Sequence, residues 1–520
     1  MLGKSLLLST VAVVALVAST DAGLAKSKSS DSSYSAAPPP ASPAAPSNAE
    51  LAARIDALEA ELAAAEEHRN ADHGRLSTLE QNFNDTQWTF DNGRPTVKSG
   101  DGRFTMAFRV RFQADFAGFM QDKPGVTNND LSSGAVMRRA YFGVEGKVFN
   151  DFNYEFRLNA GGSDGGNAGA SGVPNAGEGD PLLNKAVITY VGIPHWHLNV
   201  GVIEPAFMFE GTTSSASLIF LERPEIDNIA ADAFGAGDSR RGIELGWQKT
   251  DTLWGGDNLA VTAAFTGNKT GSSVNHGQGG DENSQVLGRV SERLWTDGIS
   301  SNVQIGASAA HVFYSGAGAA NQIIRLRDRP EIRVDGTRLI DTGTANLAKT
   351  GDMWSVDAGG NYENFFLGGE YTQFTFDRES SVAGPVTDHP SFSGYYLEGS
   401  WILTGESKVY SPGAINNEVG GFNAPVPSAP FSLSGDSWGA WEIAARYSYT
   451  DLNYDAPGAL SDIVGGKEQV IAIALNWYLN RNIRVMLDDN MVTVKKGTTL
   501  LNNTQGQSFN VVGVRLQFAN

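Results

Sequence analysis

The chain has 520 residues, a formal net charge of -19 and no cysteine. Disulfides, thiolate metal sites and cysteine nucleophiles are thereby excluded, and the acidic balance argues against a nucleic-acid partner, which calls for a basic footprint. Hydrophobic residues make up 41% of the chain and the mean hydropathy is -0.24. Beyond the N-terminal segment no run approaches the roughly 20 apolar residues of a spanning helix, so an integral helical membrane protein is excluded.

Residues 1–25 read as an export signal: Lys4 supplies the positive start, Leu6 to Val17 the apolar stretch, and small residues near Ala22 or Ala25 a cleavage site. Residues 26–48 are rich in Ser, Ala and Pro, the composition of an extended linker. Residues 49–83 carry a heptad seam. Leu51, Ile55, Leu58, Leu62 and Ala65 alternate spacings of four and three, and the register resumes at Leu76, Leu79 and Phe83 after a polar break at Arg69 and Asp72. The pattern predicts a short periplasmic coiled coil that gathers identical chains; the alternative is a lone amphipathic helix lying on the next domain.

From about Gly100 strands dominate. In Arg103 to Phe116, Phe104, Met106, Phe108, Val110, Phe112, Ala114 and Phe116 share one face, and Thr105, Ala107, Arg109, Arg111, Gln113 and Asp115 the other. A period of two with phenylalanines opposite arginines describes the wall of a transmembrane barrel, lipid outside and water inside. Arg139 to Val148 alternates likewise and turns through FNDFN into Phe152 to Asn159, a hairpin with one tight end. A long Gly- and Asn-rich loop, 161–181, follows. Short turns recur at Ile193 to His195 and Leu479 to Asn482, and apolar stripes at Trp441 to Tyr449, Ile471 to Trp477 and Val512 to Phe518. Residues 84–520 are thus predicted to form an all-β, antiparallel up-and-down transmembrane barrel of about 16 strands.

Several segments, taken in order, resemble the phosphate-selective porin O and P family of bacterial outer membranes. They include RFQAD (Arg111 to Asp115), MRRAYFGVEG (Met137 to Gly146), EPAFMFEGTTSSASLIFLER (Glu204 to Arg223), RLRDRPEIR (Arg325 to Arg333), YYLEGSWILTGE (Tyr395 to Glu406) and LNWYLNRNIRVML (Leu475 to Leu487). The resemblance implies a homotrimer of 16-stranded barrels in the outer membrane, each narrowed by an inward-folded loop, that passes small anions such as phosphate without a cofactor. It assigns the RFQAD arginine to Arg111 and the arginine pair with its tyrosine to Arg138, Arg139 and Tyr141. The constriction-loop serines become Ser214 and Ser215, followed by Arg223. Phosphate-selective members carry a lysine three residues before the first serine, whereas this chain has Gly211; Glu225 and Asp227 add acid to the same loop.

Guanidinium groups suit an anion path because each carries a permanent charge and several donors. Arg109, Arg111, Arg139, Arg157, Arg446 and Arg515 fall on predicted lumen faces, and Arg325, Arg327 and Arg329 are spaced to form a funnel at the mouth. The competing reading is a general porin, with Glu145, Glu155, Asp115, Glu222 and Glu225 opposing the arginines. A structural tether to the cell wall through the N-terminal segment is a second alternative, and a barrel hydrolase using His311 a third.

Overall fold

In a computed structural model, the described residues are 47–91, 93–121, 130–161, 183–235, 238–249, 258–269, 284–314, 324–343, 348–379, 387–413, 419–456, 462–495 and 506–520. The export signal, nearly all of the linker and all but the first residue of the Gly-rich 161–181 loop lie outside them.

A single helix, α1 (Asn48–Asn84), covers the heptad segment. Its start is fixed by a reciprocal cap: the Ser47 backbone N–H donates to the Glu50 carboxylate at 3.2 Å and the Glu50 N–H to the Ser47 hydroxyl at 3.3 Å. Ala, Leu and Glu then carry the helix, all strong helix formers. The chain divides at Leu76/Ser77 into two compact units.

Sixteen antiparallel strands close the barrel: β1 (Thr105–Gln121), β2 (Gly134–Val148), β3 (Phe152–Asn159), β4 (Leu183–Tyr190), β5 (Trp196–Ile203), β6 (Arg240–Lys249), β7 (Asn258–Lys269), β8 (Ser284–Thr296), β9 (Ser301–Tyr314), β10 (Ala348–Tyr362), β11 (Phe365–Glu379), β12 (Ser391–Ile402), β13 (Ala440–Tyr454), β14 (Ile463–Tyr478), β15 (Ile483–Lys495) and β16 (Gln507–Ala519). Closure comes from β16 on β1, with Val514 opposite Phe116 and Arg515 opposite Asp115. A closed sheet leaves no strand edge in lipid, where an unpaired backbone group would cost several kcal/mol.

Side-chain direction follows the alternation. Phe108, Phe112 and Phe116 are exposed on the outer face of β1, while Arg111, Gln113 and Asp115 are buried on the inner face. One break matters. Gln113 pairs with Arg139 and Ala114 with Met137, leaving Arg138 as the extra residue of a β-bulge. The bulge turns both Arg138 and Arg139 inward, where strict alternation would have sent one to lipid.

Turns at one rim are short, as at 149–151, 363–364 and 479–482, and the opposite rim carries longer connections, among them 204–239 and 315–347. One connection departs from that asymmetry. Residues 403–439 leave the short-turn rim, and their hairpin (Val409–Pro412 on Val419–Asn423) enters the barrel. There the Phe422 ring meets Phe209 at 6.1 Å and Phe366 at 5.1 Å.

The interior is packed unevenly. Inward side chains of β11, β12, β14 and β15, including Phe374, Phe376, Phe392, Val470 and Val492, join Phe207, Phe209, Ile226, Ile229 and Phe234 of the 204–239 loop in one apolar core. The expected polar-inside pattern therefore fails on that wall, because loops rather than water cover it. Open space is left along β1 to β5.

A charged residue on the lipid face should be costly. Leu475→Arg, outward on β14, is expected to destabilise the barrel by about 2–4 kcal/mol. The check is a lower temperature of barrel unfolding on unheated-versus-heated electrophoresis.

Candidate functional site

The β5–β6 loop, 204–239, folds into the barrel with two helices, α2 (Phe209–Thr212) and α3 (Glu225–Phe234). α3 follows Pro224 and ends at Gly235, whose φ of 75° is the left-handed cap that glycine adopts freely. Between the helices, residues 213–224 run without regular structure, and their polar backbone is satisfied by the barrel wall. Arg484 donates to the Leu218 carbonyl at 2.6 Å, Asn476 to Ile219 at 2.9 Å, Gln517 to Ala216 at 2.9 Å and Arg446 to Glu222 at 2.9 Å. In return the Leu221 N–H donates to Asp488 at 2.7 Å.

Glu222 is the centre of this attachment. Arg138 grips its carboxylate through Nε at 2.7 Å and a second nitrogen at 3.2 Å, and Arg515 donates at 2.9 Å. Arg139 and Arg333 each approach to 3.7 Å. Burial alone would raise the pKa of Glu222, but the charges of Arg138, Arg139, Arg515 and Arg333 hold it well below the usual carboxylate range. Glu222 therefore sits among the arginines and not across a channel from them, as the general-porin alternative supposed. Arg515 is fixed in turn by a two-pronged pair with Asp115, at 2.6 and 2.7 Å.

Beside this hub lies a cavity of about 160 Å³ lined by Arg109, Arg111, Arg138, Arg139, Tyr141, Arg157, Gly211, Ser214, Ser215, Arg223 and neighbouring residues. It is small beside the ~300–1,000 Å³ of typical ligand clefts. Seven of the nine sequence-assigned side chains meet here. Arg111 donates to Ser215 Oγ at 2.6 Å and to Ser214 Oγ at 3.0 Å. Its guanidinium and that of Arg157 both lie over the Tyr141 ring, at 5.4 and 4.8 Å from the centroid. Arg139 donates to Gln113 at 2.7 Å, and Gln113 passes the link to the Ser215 carbonyl at 2.8 Å. Arg223 is held by loop carbonyls, Glu210 at 2.7 Å and Thr213 at 2.6 Å. Among the described residues, no carboxylate forms an ion pair with Arg111 or Arg223.

Arg325 and Arg327 are placed elsewhere. Both belong to the inward-folded segment 324–343; Arg325 chelates Asp341, through Nε at 2.7 Å, and Arg327 stands 3.8 Å from Asp232. Arg329 is fully buried. Arg325 pairs within its own segment, Arg327 with Asp232 of the 204–239 loop, and Arg329 is buried, so none of the three lines the cavity. Their neighbours Arg333 and Arg338, which the motif reading did not assign, line it instead. Lys185, also unassigned, lies against Glu155 at 3.0 Å; its place on an inward face of β4 was the available signal.

Toward the short-turn rim a wider vestibule of about 760 Å³ opens, lined by Glu145, Lys147, Tyr154, Glu155, His195 and His197. Arg109 joins the two spaces by pairing with Glu145 at 2.8 Å and Glu155 at 3.3 Å. Arg157 holds Glu204 at 2.5 Å. His311 is on the outer wall, 2.7 Å from Asp352, and no serine hydroxyl bonds to it among the described residues.

Glu225 and Asp227 do not add acid to the cavity. Both are buried on α3 and neither lines the cavity, Asp227 lying behind Gly211; burial, reinforced by the charge of Glu331, pushes the Glu225 carboxyl up to about 8. Burial, reinforced by Glu210, pushes Asp227 up to about 8 as well. Glu225 faces the carboxyl groups of Glu468, Glu331 and Asp328. Carboxyl groups crowded together away from water favour the protonated form.

Removing the hub carboxylate leaves several guanidiniums short of their counter-charge. Glu222→Gln is expected to cost about 3–5 kcal/mol, read as a drop in the temperature at which the folded barrel is lost. A second expectation follows from Glu225. Its folded pKa lies above its unfolded value, so the contribution of its protonated form is complete in acid and lost as pH rises through about 8. Loop-dependent current noise should grow as pH rises from about 4.5 to about 8 and level off above it, and Glu225→Gln should flatten the dependence.

A family model for phosphate-selective porin O and P matches residues 106–519. No curated relative matches the chain significantly. Among solved structures, the chain is similar to an anion-selective porin from Comamonas acidovorans, at 14% identity over 80% of this chain and 100% of the other, TM-score 0.44. It is similar to the outer membrane channel DcaP of Acinetobacter baumannii, at 11% identity over 81% and 99%, TM-score 0.44. It is also similar to OmpT of Vibrio cholerae in its trimer form, at 10% identity over 80% and 99%, TM-score 0.42.

Proposed function

We propose, from the premise that this chain belongs to the phosphate-selective porin O and P family, that its constriction favours small anions. The coarser function follows from membership and the closed barrel: it is an outer-membrane porin, a channel rather than an enzyme. Its preference for anions rests on one observation above others. Arg111 is buried beside the cavity with two serine hydroxyls and an aromatic ring as partners and, among the described residues, no carboxylate paired to it. Such a cation keeps its charge for a passing ion, and low-dielectric walls strengthen the field it makes. Ser214 and Ser215, already oriented toward the guanidinium, can complete the shell of an oxyanion.

Arg223 supports the same reading, since loop carbonyls hold it and, among the described residues, no carboxylate forms an ion pair with it. Below the cavity, Glu145, Glu155 and Glu204 pair with Arg109, Arg157 and Lys185. That pairing loosens the hold on an anion as it moves toward the vestibule, which conduction requires. A cation-favouring zero-current potential across a planar bilayer under a salt gradient would instead establish the general-porin reading.

Phosphate itself is expected to be held weakly because Gly211 lacks a side chain. A Cβ there would meet only Met208 Cβ at 3.6 Å and Asp227 Oδ1 at 3.9 Å, ordinary contacts, and the position lines the cavity. Gly211→Lys should bring half-block of chloride current at a roughly tenfold lower phosphate concentration, the worth of one charged hydrogen bond. Unchanged block would show that position 211 does not set the affinity.

The assembly we infer is a trimer joined through β16, β1 and β2. Their outer faces carry Phe108, Phe112, Phe116, Phe142 and Phe518 and no Tyr or Trp, with Phe112 packed on Phe142 at 6.0 Å and Phe518 at 6.2 Å. Trp354, Tyr371, Tyr395, Trp401 and Trp441, the amphipathic rings of a membrane interface, decorate β10 to β13 instead.

A further inference from the structure

We propose that α1 is one strand of a parallel, in-register three-helix coiled coil, whose partners are two further copies of the same segment. The stoichiometry of three rests on the barrel trimer inferred above; the orientation and register rest on the helix itself.

The helix runs unbroken from Asn48 to Asn84. Along it Leu51, Ile55, Leu58, Leu62, Leu76 and Leu79 are between 42% and 64% exposed. Isolated helices owe little stability to propensity alone, and a leucine stripe in water is a face awaiting cover. Its spacing makes Ile55, Leu62, Arg69 and Leu76 the a positions and Leu51, Leu58, Ala65, Asp72 and Leu79 the d positions.

The flanking charges choose the orientation. In a parallel, in-register bundle each g position faces the e position five residues on in the neighbouring helix. Arg54 then meets Glu59, and Arg75 meets Glu80; the one like-charge pair is Glu61 with Glu66. In an antiparallel bundle e faces e and g faces g. The alignment that matches Arg69 to Asp72 then sets Glu59 against Glu80, Glu66 against His73 and His68 against Arg75, so with neutral histidines it holds no opposite-charge pair between flanking positions.

The polar break acquires a purpose in this arrangement. Arg69 and Asp72 occupy adjacent core layers, so in-register helices place guanidiniums next to carboxylates in equal number. In a single helix the two groups bond locally and exposed, Arg69 with Glu66 at 3.9 Å and Asp72 with Arg75 at 3.6 Å. A shift by one heptad would set Arg69 against a leucine layer and Asp72 against an alanine or leucine layer, and a buried polar layer of this kind fixes register at some cost in stability.

The absence of cysteine makes the test clean. Single cysteines are placed in the full chain, in detergent, by Leu62→Cys, Leu79→Cys or Asp56→Cys, the last on the outward b position, and a mild thiol oxidant is added. Expected is self-linking of Leu62→Cys roughly tenfold faster than of Asp56→Cys, because the seam holds the two thiols at high effective concentration. Equal rates for Leu62→Cys and Asp56→Cys would overturn the seam. Linking of Leu62→Cys to Leu79→Cys chains in preference to self-linking would overturn the parallel orientation. Failure of the barrel-trimer reading appears separately, as a scattering mass of two or one chains for the unmodified protein. If Arg69→Leu with Asp72→Leu keeps the Leu62→Cys link but admits links between Leu62→Cys and neighbouring-heptad cysteines, the ionic layer sets register; no new links would remove it from that role.

Discussion

Taking a carboxylate out of water is expensive unless cations and donors replace its hydration shell, and Glu222 obtains that replacement from three separate parts of the chain. Arg138 comes from a bulge in β2, Arg515 from the closing strand and Arg333 from a second inward segment. Each of them would itself be an uncompensated charge if the loop swung away. The loop, the barrel closure and the second insertion are thus bound by one electrostatic requirement. The cavity exists where it does because this hub clamps residues 213–224 at a fixed distance from β1 and β2.

That clamp also separates two kinds of arginine that look alike in sequence. Arg138, Arg139 and Arg515 spend charge on Glu222 or Asp115, whereas Arg111 and Arg223 are held by neutral oxygens. A porin that needs mobile anions benefits from both. Paired arginines supply stiffness, and those without a carboxylate partner supply field. The same division recurs toward the vestibule, where Glu145, Glu155 and Glu204 accept the remaining cations.

The barrel was legible in the sequence because a period of two survives wherever lipid and water face each other across a strand, as in β1. It was less legible on β11, β12, β14 and β15, where Phe374, Phe392 and Val470 point inward. There the interior solvent is another part of the protein, and the second face turns apolar. Arg138 shows a different limit. Alternation assigns it to lipid, and only the pairing of Gln113 with Arg139 and Ala114 with Met137 reveals the bulge that brings it inside. Motif resemblance found the arginine without explaining it. Arg325 and Arg327 lie outside the cavity for a related reason: spacing in a loop says little about position when Asp341, sixteen residues on, and Asp232, in another loop, hold the side chains.

The hairpin at 409–423 enters from the rim opposite to the constriction loop, and the two meet around Phe209 and Phe422. The strands therefore set only an outer frame, much wider than the passage. What a solute experiences is decided by insertions threaded in from both mouths. Such a protein can change its cargo by exchanging the contents of the frame, while the surface that must insert, close and associate in a membrane is left as it was.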